Sequence, residues 1–209
     1  MTAWLRHDSP AMRAWSAAAD LVVINLLTLL ACLPLITAGA ALTACMRVMM
    51  EMAREEETYT VRSWWRSLRS NLRQSLAWWP PVLVLAALAL WEQAVISRAG
   101  ALEAGIVSGL LAAGVLMVLA LLVWLVPLIA FFETGIGRHL VNAARLALGA
   151  LGRTTACLAV LAAPLAVAWA APAMRAPTAW FMVLIGVAFQ AYLVALIQRG
   201  IINRLRQRA

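Results

Sequence analysis

Apolar positions gather into five long stretches almost free of charge: 21–43, 76–91, 104–132, 154–171 and 179–198. A helix needs about twenty apolar residues to cross a bilayer core, so runs of this kind are solvated by hydrocarbon. With their flanks they predict transmembrane helices over 76–97, 104–132, 154–172 and 178–198. The first stretch is interrupted, reading Leu33-Pro34-Leu35-Ile36-Thr37-Ala38-Gly39 in its middle. Pro34 removes a helix hydrogen bond, Gly39 loosens the backbone, and Thr37 is able to cap a new helix. Residues 15–54 are therefore expected to form a broken helical hairpin, its break near the outer face. Its second helix is short for a lipid-facing span and carries Arg47, which fits either a tilted span or a helix shielded by its neighbours. The fold class predicted is all-α: a polytopic transmembrane helix bundle in a single domain.

Between 60 and 76 the pattern changes. Val61, Trp64, Trp65, Leu68, Leu72 and Leu76 share one face at helical spacing, and Arg62, Arg66, Arg69 and Arg73 form an adjoining stripe. Ser63, Ser67, Ser70 and Asn71 make the remaining edge. Such a helix suits the headgroup plane, with tryptophans immersed and guanidinium groups on lipid phosphates. Glu55, Glu56 and Glu57 precede it, and Thr60 is a candidate cap. The four arginines are candidates for binding membrane lipid headgroups or for docking a cytoplasmic partner.

Composition agrees with the pattern: 65% of the 209 residues are hydrophobic and 12% are charged, far from the balance of soluble domains. All seventeen basic residues are arginine. Without lysine, neither a Walker A loop nor Schiff-base chemistry can be built. The arginines also orient the chain, because cytoplasmic loops retain them. Six lie between Arg47 and Arg73, three between Arg138 and Arg153, and four in the basic tail 199–209, against one each at Arg98 and Arg175. The rich segments and the C-terminus are expected in the cytoplasm of a bacterial inner membrane. Six crossings with both termini inside is the expected topology; five, with the N-terminus outside, is the alternative. A secretory signal peptide is the rival reading of the N-terminus, but Asp20 and Asn25 sit awkwardly in an apolar leader and the stretch runs past Ala38-Gly39-Ala40. The net charge of +8 flanks the spans, where lipid phosphates account for it, so nucleic acid is not an expected partner.

The run Asp20-Leu-Val-Val-Ile-Asn25-Leu-Leu, then Leu33-Pro-Leu-Ile-Thr37-Ala-Gly39-Ala-Ala-Leu-Thr43-Ala, then Tyr59, Trp64-Trp65 and Asn71-Leu-Arg-Gln74 resembles the YesL-like family of bacterial membrane proteins, a family of unknown function. The stretch from Leu140 to Thr154 also resembles that family's second cytoplasmic segment. One departure is Gly39-Ala40 where the family has glycine-proline, so the bend rests on Pro34 and Gly39. The resemblance implies an integral membrane protein found beside carbohydrate-uptake transporters and glycoside hydrolases. It carries over no catalytic residues.

Ionisable residues inside spans are functional suspects, but Asp20, Glu92 and Glu133 fall near predicted interfaces and Arg98 and Glu103 in the outer turn. The buried polar candidates are Asn25 and Gln190, with Thr28, Thr37, Thr43 and Tyr192; amides in this setting cross-link helices. Ala101, Gly105, Gly109 and Ala113 recur every four residues, a spacing that admits a close neighbour. Pro127, Pro164 and Pro172 are expected to kink or end their helices, and Trp78, Trp79, Trp91, Trp169 and Trp180 to sit in interfacial belts. Arg138 to Gly152 looks like a second elbow, hinting at two three-helix halves. Cys32, Cys45 and Cys157 lack metal-ligand spacing, and His7 and His139 are isolated enough to be solvated loop residues. No cofactor, metal or catalytic constellation is expected. The function expected is an accessory of carbohydrate uptake associated with sugar-transporter membrane subunits; the alternative is a small secondary transporter or channel.

Overall fold

A computed structural model describes residues 10–56, 59–96 and 101–207, the side chains of 10–14 and 101–104 excepted. Arg6, His7, Glu57, Arg98 and Arg208 lie outside the described residues, as do the side chains of Arg13, Ala101 and Glu103. The chain forms α1 (Pro10–Cys32), α2 (Ala38–Ala53), α3 (Thr60–Ile96), α4 (Ala101–Phe131), α5 (Ile136–Gly149) and α6 (Leu151–Ala170). A 3-10 turn (Pro172–Met174) leads into α7 (Arg175–Phe181), which passes through a π-turn (Met182–Gly186) into α8 (Val187–Arg206). Among the described residues, five helical runs are long and apolar enough to cross a bilayer: Trp15–Cys32, Thr60–Ile96, Gly105–Phe131, Leu151–Ala170 and Pro172–Arg206. The protein is a multi-span membrane protein.

The short α2 is the helix around which the rest is arranged. Thirteen of its sixteen residues are buried, and it touches α1, α3, α4 and α8. A helix apolar on every side needs protein or lipid on every side, and alanine, methionine and cysteine let four neighbours come close. At 1.5 Å per residue α2 is about 24 Å long, less than the hydrocarbon thickness. It is thus the shielded helix of the two possibilities raised by its length.

The break between α1 and α2 is built differently from the expectation. Thr37 stands at the N-cap position without a side-chain cap bond; its hydroxyl instead donates to the Ala31 carbonyl at the end of α1. Gly39 is helical and serves close approach, since a Cβ there would lie 2.7 Å from Trp79 Cβ. Trp79 Nε1 donates to the Leu35 carbonyl at 2.7 Å, and Leu35 turns the chain with φ 53. From Trp79, α3 runs on to Ile96, about 25 Å further. The break therefore docks part-way along α3. Leu33, Leu35 and Ile36 remain exposed while the Ala31 and Leu35 carbonyls are satisfied from inside the chain. Internal satisfaction of carbonyls is what backbone at membrane depth requires.

The amphipathic elbow is continuous with the span after it, because α3 is one helix across 60–96. Its buried face is Trp64, Ser67, Leu68, Asn71, Ser75 and Trp78, whereas Val61, Trp65 and Leu76 are exposed. The polar edge assigned to Ser67 and Asn71 thus faces inward. Small Ser67 and Ser75 let α3 approach α2, and Asn71 returns its amide to the Ser67 carbonyl at 2.9 Å. The second elbow is a separate helix, α5, ended at Ala150 (φ −126, ψ 46), so the two segments are not alike.

Three further expectations give way. His139 is buried, not solvated. Trp78 is buried and Trp79 braces the break, so neither belongs to a belt, whereas Trp91, Trp169 and Trp180 are exposed. A Cβ added at Gly105 or Gly109 would meet no atom within 4 Å, so the small-residue stripe packs against no neighbour among the described residues. The basic tail continues α8 as helix through Arg206.

Candidate functional site

Proline kinks and a π-turn leave main-chain groups without helical partners, and the carboxamides inside the spans are aimed at them. Pro164 has no N–H for the Val160 carbonyl four residues back; Gln190 Nε2 donates to it at 2.8 Å. Pro127 likewise frees the Val123 carbonyl, and Gln198 Nε2 donates there at 2.9 Å. Asn25, fully buried in α1, grips the π-turn. Its Nδ2 donates to the Val183 carbonyl at 2.7 Å and to that of Met182 at 3.3 Å, and its Oδ1 accepts from the Ala188 N–H at 3.0 Å. Asn25 thus supplies a side-chain acceptor to a main-chain N–H where the π-turn joins α8. Gln198 was not singled out in the sequence, although its spacing of eight from Gln190 puts both on neighbouring faces of α8. Thr28 and Thr154 accept the indole N–H groups of Trp64 at 3.1 Å and Trp124 at 2.9 Å.

The second concentration of polar groups lies where the ends of α2, α4 and α8 meet. Three guanidinium groups surround the Phe131 ring: Arg54 at 4.7 Å, Arg47 at 5.5 Å and Arg206 at 5.6 Å. Contact with a π face lowers the cost of removing a guanidinium from water. Arg47 also pairs with Glu51 at 3.2 Å and donates to the Ala130 carbonyl at 2.9 Å. Glu51 accepts from Ser63 Oγ at 2.6 Å, and Arg199 donates to the Ala53 carbonyl at 3.0 Å. The α2 terminus is a Schellman turn: Glu56 N–H bonds the Glu51 carbonyl at 3.1 Å and Glu55 N–H that of Met52 at 3.0 Å. Glu55 takes the left-handed position, φ 58, usual for glycine. That turn aims both Arg54 and Glu56 at α8, where Glu56 Oε1 lies 3.2 Å from Arg206 Nη1 and 3.6 Å from Arg54 Nη1.

Arg62, Arg66, Arg69 and Arg73 stand exposed along α3, with Arg69 stacked 4.8 Å over Trp65. Pro34 and Thr37 sit in the hairpin turn with Gly39 behind them. A cavity of about 780 Å³ beside α3 is lined by Asp20, Tyr59, Arg62, Trp64 and Trp65. The cysteines are free thiols, Cys45 and Cys157 buried and Cys32 half-buried. Among the described residues, His, Cys, Asp and Glu side chains nowhere gather in the threes that would hold a metal ion.

No curated protein and no solved structure matches this chain. Residues 21–92, from α1 through most of α3, match the model of a protein family described as a protein of unknown function, DUF624.

Proposed function

We propose that this protein is a non-enzymatic accessory of the bacterial cytoplasmic membrane, of the YesL-like kind, that associates with the membrane subunits of a sugar transporter. Its arginine-rich end and C-terminus face the cytoplasm on this reading, with α1 and α2 entering and leaving as a pair. The family match over 21–92 supports the resemblance, because it falls on the residues that carry it. The gathering of Arg47, Arg54, Arg199 and Arg206 at one end supports the orientation.

The observation that carries an accessory role over a conduit is the buried α2. Its apolar side chains fill the middle of the bundle, and Asn25, Gln190 and Gln198 each commit their amide donors to main-chain carbonyls. A pathway for a polar solute needs such groups turned toward water. Purification in mild detergent from cells grown on an inducing sugar is expected to bring down a sugar permease. Recovery of the protein alone would sink the proposal. Reversing Arg66 and Arg69 to glutamate separates docking from lipid anchoring: intact membrane insertion with lost capture of the permease indicates docking, and lost insertion indicates lipid contact.

One feature favours a second reading, a small transporter or channel: the π-turn at Met182–Gly186 is a local irregularity of the sort found where helices move. Solute flux into liposomes holding the pure protein is its test.

A further inference from the structure

The end of α2 holds a guanidinium whose needs the described chain does not meet. The Arg54 side chain is 5% exposed, and none of its three nitrogens has a hydrogen-bond partner among the described residues. Its approach to Glu56, 3.6 Å, is an ion pair too long for a hydrogen bond. A buried charge left in that state is costly, and a guanidinium fork is completed best by an oxyanion that accepts two N–H groups at once. Arg206 stands on the other side of the same Glu56 oxygen, 3.2 Å away and half exposed. Between them opens a cavity of about 430 Å³, lined by Arg54, Glu56, Asn203, Arg206 and Gln207.

We propose that this cavity is a phosphate-binding site, in which Arg54 and Arg206 clamp the phosphate oxygens, Asn203 and Gln207 supply further donors, and Glu56 occupies the clamp until the phosphate displaces it. Phosphate fits better than a carboxylate because it offers more acceptor oxygens and greater charge to two guanidinium groups that already repel each other. That repulsion, after burial, is the second cause pressing the Arg54 pKa down, and Glu56 opposes it. Glu56 is 43% exposed. The Schellman turn that aims it has Glu55 in a left-handed conformation, φ 58. The phosphate has two possible sources, an anionic lipid headgroup or a phosphate ester in solution, and the clamp chemistry is common to both. The inference does not depend on the accessory reading.

The test uses the full-length protein in neutral detergent. Inorganic phosphate is titrated calorimetrically at fixed ionic strength into wild type, Glu56→Gln, Arg206→Gln and Arg54→Lys. In parallel, native mass spectrometry records the phospholipid each protein retains from membranes containing phosphatidylglycerol and phosphatidylcholine. A free phosphate ester as the source gives saturable phosphate binding, tightened about tenfold by Glu56→Gln and weakened at least tenfold by Arg206→Gln. A headgroup source gives retained phosphatidylglycerol, enriched in Glu56→Gln and lost in Arg206→Gln. Arg206 is at the exposed end of α8, so its replacement reports on the site even where Arg54→Lys fails to fold. The proposal is overturned when wild type and Glu56→Gln bind no phosphate and the four proteins retain the same lipids. Binding that Glu56→Gln does not tighten, in either arm, also overturns it.

Discussion

Gln198 on α8 donates from Nε2 to the Val123 carbonyl on α4 at 2.9 Å, the acceptor that Pro127 leaves without its helical donor. Side chain and proline are thus coupled across two helices. Replacing Gln198 by leucine strands a buried carbonyl and is expected to lower stability by about 1 kcal/mol, the usual scale for polar helix contacts in membranes. Replacing Pro127 by alanine restores the N–H that bonds Val123, so Gln198→Leu should cost less in that background. Unfolding of the four proteins of this cycle in mixed micelles measures the coupling; additive losses would contradict it.

The same coupling explains how much could be read in the chain beforehand. Long apolar runs are a one-dimensional signal, and the spans from Trp15, Leu151 and Gly105 needed little else. Asn25 and Gln190 stood out because an amide in hydrocarbon is conspicuous. Their partners did not, since the Val160 carbonyl freed by Pro164 lies thirty residues before Gln190 and nothing local links the two. The inward face of α3 is hidden in the sequence for a related reason: Ser67 and Asn71 are polar, and only the proximity of α2 makes small size matter more than polarity. Arg54 carried no local mark at all, because its burial depends on Phe131 and on α8 arriving from the far end of the sequence.

Gly39 and Gly105 are expected to respond oppositely to one methyl group. A Cβ on Gly39 would lie 2.7 Å and 2.8 Å from Trp79 Cβ and Cγ, atoms near the backbone that cannot swing away. Gly39→Ala should therefore cost about 1–3 kcal/mol through overpacking and loosen the Trp79 bond to Leu35. At Gly105 no atom lies within 4 Å, and alanine there should be neutral or slightly stabilising. Thermal unfolding followed by tryptophan fluorescence compares them; equal losses would mean that Gly39 is not a contact point.

Ile36 offers a test of where the hairpin break resides. It is half exposed beside exposed Leu33 and Leu35, yet the turn's Leu35 carbonyl is satisfied by Trp79, the pattern required inside hydrocarbon. With Cys32, Cys45 and Cys157 replaced by alanine, Ile36→Cys should resist a membrane-impermeant maleimide added from either side of vesicles. Arg175→Cys, at the start of α7 just after the turn that follows α6, should react from one side only. Ready labelling of Ile36→Cys would put the break in water.

His139 is predicted to make stability fall in mild acid. It is 1% exposed, with Thr134 Oγ1 3.1 Å from Nε2 and 3.3 Å from Nδ1. Burial is the largest influence and holds its pKa below the ordinary imidazole value of 6.5, against main-chain hydrogen bonds at Phe132 and Thr134 that raise it. A base whose pKa drops on folding takes its proton first in the unfolded state. Its contribution to stability is therefore complete above 6.5 and is lost as pH falls from there toward the lower folded value. The midpoint of unfolding should hold steady down to about pH 7 and decline toward about pH 5, where carboxylates begin to add their own dependence. His139→Gln keeps a polar group against Thr134 and cannot take up a proton, so it should flatten the profile across that window even if its stability at neutral pH is lower. A wild-type slope that persists unchanged in His139→Gln would assign the titration to another group.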